Sequence, residues 1–237
     1  MSKGFRNIIV PIYPLLNAST AIQRAIELAD DESASIHVIQ VQNPFLALQH
    51  KIVITAGFGK SESENWKKKF VAYSNIHFEA GFVKGISIPD AIAEKAMANN
   101  ADIIVMGSCR GWGLIPSEKY ASAVAAVTGI PVFSAKKNRS NTTSVVVPVQ
   151  HYVQHELLEK ISVLSKKYRL DVHLVTYRER QPEGQDEGAS LAVLQAYQWL
   201  KSYVKCPVEY SVVSGANKIK AVNSYLHHLQ NDVVLLQ

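Results

Sequence analysis

Cysteine is scarce: Cys109 and Cys206 are the only two in 237 residues. Two thiols build no disulfide framework, so a reducing cytoplasm is the compartment this composition suits. Long apolar runs are also missing. None approaches the roughly 18 residues of a membrane span. The opening Met-Ser-Lys-Gly-Phe-Arg leads straight into an apolar strand without the long h-region of a signal peptide. Charged residues make up 19%, and no block of one sign stands out. The net +5 is spread as +3 over residues 1–138 and +2 over residues 139–237. With no basic arm or stripe, neither nucleic acid nor a membrane is an expected partner. Nucleophile–base pairs, paired catalytic carboxylates and metal-ligand motifs are absent from the sequence, which favours binding over catalysis.

What is present is apolar material, 47% of the chain, in short runs separated by helical periods. Asn7–Ile12, Ser35–Val41, His77–Val83 and Asp102–Met106 read as strands buried on both faces, as in a parallel sheet. Helical spacing falls between them: Ala21, Ile22, Ala25 and Ile26; Trp66 and Phe70 within residues 61–73; Ile88, Ile92 and Ala96. Residues 43–60 read as a long loop and residues 117–128 as a helix of small residues. Gly129–Phe133 reads as a fifth strand, placed at an edge or a partner contact because Pro131 has no ladder donor. Residues 136–143 are polar and read as a linker.

After that linker the series restarts. Ser144–Val149 matches the first strand, with Pro148 in the place of Pro11, and Asp171–Thr176 matches the second, with His173 answering His37. Leu157, Ile161 and Leu164 mark one helix, and Leu191, Leu194 and Leu200 the next. A strand over 208–213, a helix through Leu226 and a strand over 232–236 follow. Gly85 precedes Asp102 by 17 residues, and Gly215 precedes Asp232 by the same 17. The aligned second copy reaches Gln237 where the first has Gly107. The expected fold is therefore α/β, with doubly wound parallel sheets in two tandem units, 1–138 and 143–237.

With Ile8-Ile-Val-Pro, Gly85-x-Ser-Ile-Pro, Ala101-Asp-Ile-Ile-Val-Met-Gly-Ser and Gly129-Ile-Pro-Val in place, the chain resembles a tandem member of the universal stress protein family. The resemblance implies strand order 3-2-1-4-5 in each unit, with the second unit lacking the last strand and helix as far as Gln237. A chain continuing beyond that residue would supply the second loop. It also implies units that pair, often through the fifth strand. The partners implied are a second copy, or the two units as an intramolecular pseudo-dimer, and a protein such as a transporter or kinase. Some members bind ATP through an Asp after the first strand and a loop of Gly, two residues, Gly, nine residues, Gly-Ser. Glycine backbone N–H groups at a helix start suit phosphate.

The residues this resemblance assigns to a nucleotide site are Pro11, Tyr13, Val41, Met106, Gly107, Arg110, Gly111 and Gly113. They depart from the ATP-binding pattern. Tyr13 and Gln150 stand at the Asp position, and neither side chain binds a ribose diol as an ionised carboxylate does. Arg110 replaces the second glycine, and the closing Gly-Ser falls near Lys119-Tyr120 or Tyr120-Ala121. Two function readings follow: association in stress adaptation with a degenerate nucleotide site and no cofactor, or a switch or slow ATPase using ATP or another adenine nucleotide at the Gly107 loop. Cys109 beside Arg110 has the setting of a lowered thiol pKa, but reads more simply as a loop residue. His151/His155, His227/His228 and Lys67–Lys69 read as surface residues.

Overall fold

A computed structural model describes residues 5–12, 18–29, 34–42, 77–84, 87–107, 117–136, 142–149, 153–179, 187–215, 217–229 and 231–236. Strands and helices alternate: β1 (Asn7–Ile12), α1 (Ala18–Leu28), β2 (Ser35–Gln42), β3 (His77–Lys84), α2 (Ile88–Ala98), β4 (Ile103–Gly107), α3 (Ser117–Thr128) and β5 (Val132–Ala135). The second half holds β6 (Thr142–Val149), α4 (His155–Lys167), β7 (Arg169–Glu179), α5 (Glu187–Tyr203), β8 (Val208–Gly215), α6 (Lys218–His228) and β9 (Asp232–Leu235). The stretches read as a loop over 43–60 and a helix over 61–73 lie outside the described residues.

Two separate sheets were the expectation; the nine strands instead form one, in the order β3-β2-β1-β4-β5-β9-β6-β7-β8. Every neighbouring pair is parallel except β5 and β9, which run antiparallel with Val132 opposite Leu235 and Ser134 opposite Val233. β5 is therefore central: of the edge or partner contact read from Pro131, the edge is corrected and the contact is the one seen, with β9 of the second half. That proline precedes the strand, and its carbonyl accepts from Ile104 N at 2.9 Å. Its missing N–H thus costs the ladder nothing. β9 is likewise central. The edges of the sheet are β3 and β8.

Helices cover both faces. On one, Ile8, Val10, Ile36, Phe133, Val145 and Val172 pack with α1, α4 and α5. On the other, Ile9, Ile104, Val132, Val146 and Val233 pack with α2, α3 and α6. Alternate strand residues thus serve opposite layers, which explains the unbroken apolar runs. Ser87 caps α2 by accepting from Asp90 N, and Asn217 caps α6 by accepting from Lys220 N at 3.1 Å. Gly129 ends α3 at φ +65°, a conformation that disfavours a side chain, while its N–H reaches Ala125 O at 2.8 Å. In α5 the buried face is Ala192, Val193, Ala196 and Leu200. Leu191 and Leu194, two of the leucines that marked this helix, are exposed. Their leucine spacing alone could not say which flank meets the sheet.

The junction between halves carries buried charge. Arg24 on α1 donates through Nη2 to Asp232 at 2.5 Å and through Nη1 to Glu27 at 2.7 Å, with its side chain 7% and that of Asp232 1% exposed. Asp232 Oδ1 also accepts from Lys136 N at 2.7 Å. Burial pushes the Asp232 carboxyl up, and the Lys136 N–H and Arg24 pull against it. Arg24 is raised overall: burial works against its charge, but the Glu27 hydrogen bond and Asp232 outweigh it. From α4, Lys167 Nζ donates to the carbonyls of Leu28 and Ala29 at 2.9 Å, placing a cation on the C-terminus of α1. Tyr168 packs its ring 5.8 Å from Phe133. Across the other face Ser122 on α3 donates to Asn223 on α6 at 2.5 Å.

Candidate functional site

The strand order reverses on either side of β1, and ligands of open α/β sheets bind beyond the carboxyl ends of strands at such points. Here the prolines act. β1 pairs with β2 over its whole length, from Asn7 to Ile12. With β4 it pairs only at Ile8↔Ile103 and Ile9↔Ile104. Asn7 O accepts from Asp102 N, so the odd residues of β1 face β4. The next rung needs the N–H of residue 11, and Pro11 has none. The same event recurs in the second half. Val146 O accepts from Leu236 N, the β6–β9 ladder ends at Val146↔Leu235, and the next rung would need the N–H of Pro148. Each proline therefore stops a ladder at a place where the sheet can part.

Counting rungs from the prolines sharpens the sequence alignment. Ile104 pairs with Ile9, two residues before Pro11, and Leu235 pairs with Val146, two residues before Pro148. By register Leu235 then corresponds to Ile104, while Gln237, aligned with Gly107 in the sequence, lies outside the described residues. The aspartates differ accordingly. Asp102 precedes its ladder and accepts from Arg6 N at 2.8 Å and Asn7 N at 2.9 Å through Oδ2. Asp232 lies within its ladder, opposite Thr143, and turns to Arg24 and Lys136.

Of the eight assigned residues, four are described. Pro11, Val41, Met106 and Gly107 are all buried, with Val41 and Met106 1% exposed. Val41 and Met106 share an apolar cluster with Ile9, Ile88 and Ile92, and Tyr120 packs against that cluster from the first turn of α3. Tyr120 is the residue near which the closing Gly-Ser of the loop pattern falls. Tyr13, Arg110, Gly111 and Gly113 lie outside the described residues, as do Gln150 and Cys109. Next along the sheet, Ser134 pairs in register with Met106, and its Oγ is buried with no partner among the described residues. The described residues at the switch point are thus buried and mostly apolar, as core packing requires.

One polar cluster was not legible in the sequence. Ser211 Oγ lies 3.2 Å from Tyr225 Oη, which lies 3.0 Å from His173 Nδ1, and Glu209 Oε2 lies 3.7 Å from the same nitrogen. Burial pushes His173 down, with Glu209 and Asp171 opposing. Three elements contribute, so only folding assembles the group; it ties α6 to β7 and β8. Among the described residues no three His, Cys, Asp or Glu side chains gather to hold a metal. His155 is exposed and meets the Trp199 ring at 5.7 Å, and His227 and His228 are exposed on α6. The Cys206 thiol is raised by burial, the reverse of activation. No helix among the described residues is long and apolar enough to cross a membrane.

A doubly wound, mostly parallel α/β sheet is the class these features define. Residues 4–116, a little under half of the chain, match the model of the Universal stress protein family. No curated protein matches the chain. A putative universal stress protein from Pseudomonas aeruginosa has 14% identity and a TM-score of 0.57, covering 98% of this chain and 93% of that one. A universal stress protein from Archaeoglobus fulgidus has 15% identity and a TM-score of 0.54, covering 98% and 96%. At these identities the likeness shows the fold alone. A universal stress protein family protein from Arabidopsis thaliana, solved with AMP bound, has 17% identity, covers 56% of this chain and 92% of that one, and has a TM-score of 0.42. That likeness carries no argument about ligands here.

Proposed function

We propose that residues 1–138 and 143–237 are two units of a tandem universal-stress-type protein that acts in stress adaptation by binding and association. On this reading the antiparallel β5–β9 junction makes the chain an intramolecular pseudo-dimer, and the nucleotide site is degenerate. The supporting observation is burial at the switch point: Pro11, Val41, Met106 and Gly107 are buried, and Tyr120 packs on the apolar cluster that holds Val41 and Met106. The sequence adds Tyr13 where a ribose-binding carboxylate would stand. Neither a phenol nor this apolar cluster supplies the charge that a ribose diol and phosphates require. Calorimetric titration with ATP, ADP and AMP, with nucleotide analysis of the denatured protein, tests the reading. No heat of binding and no co-purified nucleotide are expected; micromolar affinity would overturn it.

The second reading is an adenine-nucleotide switch or slow ATPase at the Gly107 loop. It is favoured by one observation, the β1–β4 ladder that stops before Pro11. If the titration succeeds, Arg110→Ala should weaken binding several-fold, and an unchanged affinity would place the nucleotide elsewhere.

A further inference from the structure

Strand β8 is an outer edge of the sheet, bonded to β7 on one side only among the described strands. Its eight residues, Val-Glu-Tyr-Ser-Val-Val-Ser-Gly, include no proline and no lysine, the residues that commonly guard such an edge. Tyr210 and Val212 lie on one face of it and are 49% and 51% exposed. That face is the one carrying Leu174, the in-register neighbour of Tyr210, and it is covered by α5. On α5, Trp199 meets His155 of α4. Tyr210 and Val212 therefore form an exposed apolar strip along an unpaired strand.

We infer that β8 is a docking edge for a second copy of this chain, pairing antiparallel with its own counterpart about a two-fold axis through Ser211. An isologous pairing must keep side chains on their faces, so the axis passes through a residue and not between two. With Ser211 on the axis, Tyr210 falls opposite Val212 of the copy, and Val212 opposite its Tyr210. That gives two aromatic–β-branched cross-strand pairs. Glu209, the one charge in the strand, falls opposite Val213, which leaves the two Glu209 carboxylates about 13 Å apart along the strand, beyond the screening length at physiological salt. Centring on Val212 would instead put Tyr210 against Ser214 and lose both pairs.

The chain already builds one junction of this type. β5 and β9 meet antiparallel, with α1 beside α4 on one face and α3 beside α6 on the other. At the proposed junction α5 and its copy would flank the seam in the same manner. The area decides the strength. Tyr210 and Val212 of two copies offer on the order of 400 Å² of exposed apolar surface. That is short of the roughly 1,200 Å² of a stable interface, so the dimer is weak and concentration-dependent.

Sedimentation of the whole chain over about a thousandfold concentration range is expected to show monomer passing to dimer. Tyr210→Lys and Val212→Lys, both at exposed positions, should each shift that transition upward by at least tenfold while leaving the circular dichroism unchanged. Position 211 gives a second measurement. In a background of Cys109→Ser and Cys206→Ser, Ser211→Cys puts two thiols on the axis at a Cα separation of about 5 Å, and mild oxidation should give a covalent dimer. Glu209→Cys, about four residues off register, should not. A chain that stays monomeric throughout, a dimer indifferent to both lysine variants, or equal crosslinking from positions 209 and 211 would each overturn the inference.

Discussion

Asp232→Asn is the substitution that probes the junction most directly. The carboxylate is 1% exposed, holds Arg24 at 2.5 Å and accepts from Lys136 N at 2.7 Å. Asparagine keeps an acceptor for the Lys136 N–H and removes only the charge. Arg24 is then left buried with Glu27, at 2.7 Å, as its remaining acid. Breaking one side of a buried pair costs about 3–5 kcal/mol. Because Glu27 stays, the expected loss is at or just under the low end, about 2–3 kcal/mol. For a chain of this size about 2–4 °C of melting temperature goes with each kcal/mol, so a fall of roughly 4–12 °C should be seen. Arg24→Met leaves the Asp232 anion with one backbone N–H and should cost about 3–4 kcal/mol. The double variant removes both charges while keeping the Lys136 acceptor. Apolar replacements of buried pairs are often neutral, so it should return to within about 1–2 kcal/mol of wild type. Urea unfolding of all four proteins closes the cycle. Additive singles, to within about 0.5 kcal/mol, would show that the two groups do not act as a pair and would refute the electrostatic account of the junction.

Two further outcomes follow from local geometry. Pro11→Val restores the N–H that the next β1–β4 rung lacks, so amide exchange at position 11 should be slow; fast exchange would mean that something other than the missing donor ends the ladder. His173 is held below its ordinary value by burial, so the native state resists a proton that the unfolded chain accepts. Stability should therefore be complete above the ordinary histidine pKa of about 6.5 and fall as pH drops through it. His173→Gln should flatten that part of the urea-midpoint profile between pH 7.5 and 5.5, and an unchanged slope would assign the acid sensitivity elsewhere.

Strand and helix positions were largely legible because a buried parallel strand and an amphipathic helix write different periods into the chain. Asn7–Ile12, His77 onward, residues 117–128 and the 232–236 strand all lie where the apolar pattern puts them, to within a residue or two. A contact at the fifth strand was legible; its antiparallel register with β9 was not. Pro131 read as an edge marker because a proline's missing donor is visible in sequence, whereas its position one residue outside β5 is not. The leucines of α5 show the same limit: Leu191 and Leu194 have the helical period, yet the sheet is met by Ala192, Val193 and Ala196. For the site, the family pattern assigned Pro11, Val41, Met106 and Gly107, and the structure shows these four as buried residues. The Ser211–Tyr225–His173–Glu209 group escaped, since its members come from three elements and carry no spacing signal.

By itself the sequence determined the alternation of β and α, the repeated proline at positions 11 and 148, and the restart after the polar stretch near residue 140. These are local properties, set by side-chain periodicity and by one missing N–H. Only the tertiary structure decided that nine strands make one sheet, that Asp102 and Asp232 take different partners, and that β8 is left as the bare edge among side chains the structure describes. Those outcomes depend on which backbone donors and acceptors remain unpaired once each half has formed. β5 and β9 were two such edges, and joining them buried Arg24 and Asp232 while leaving β8 uncovered.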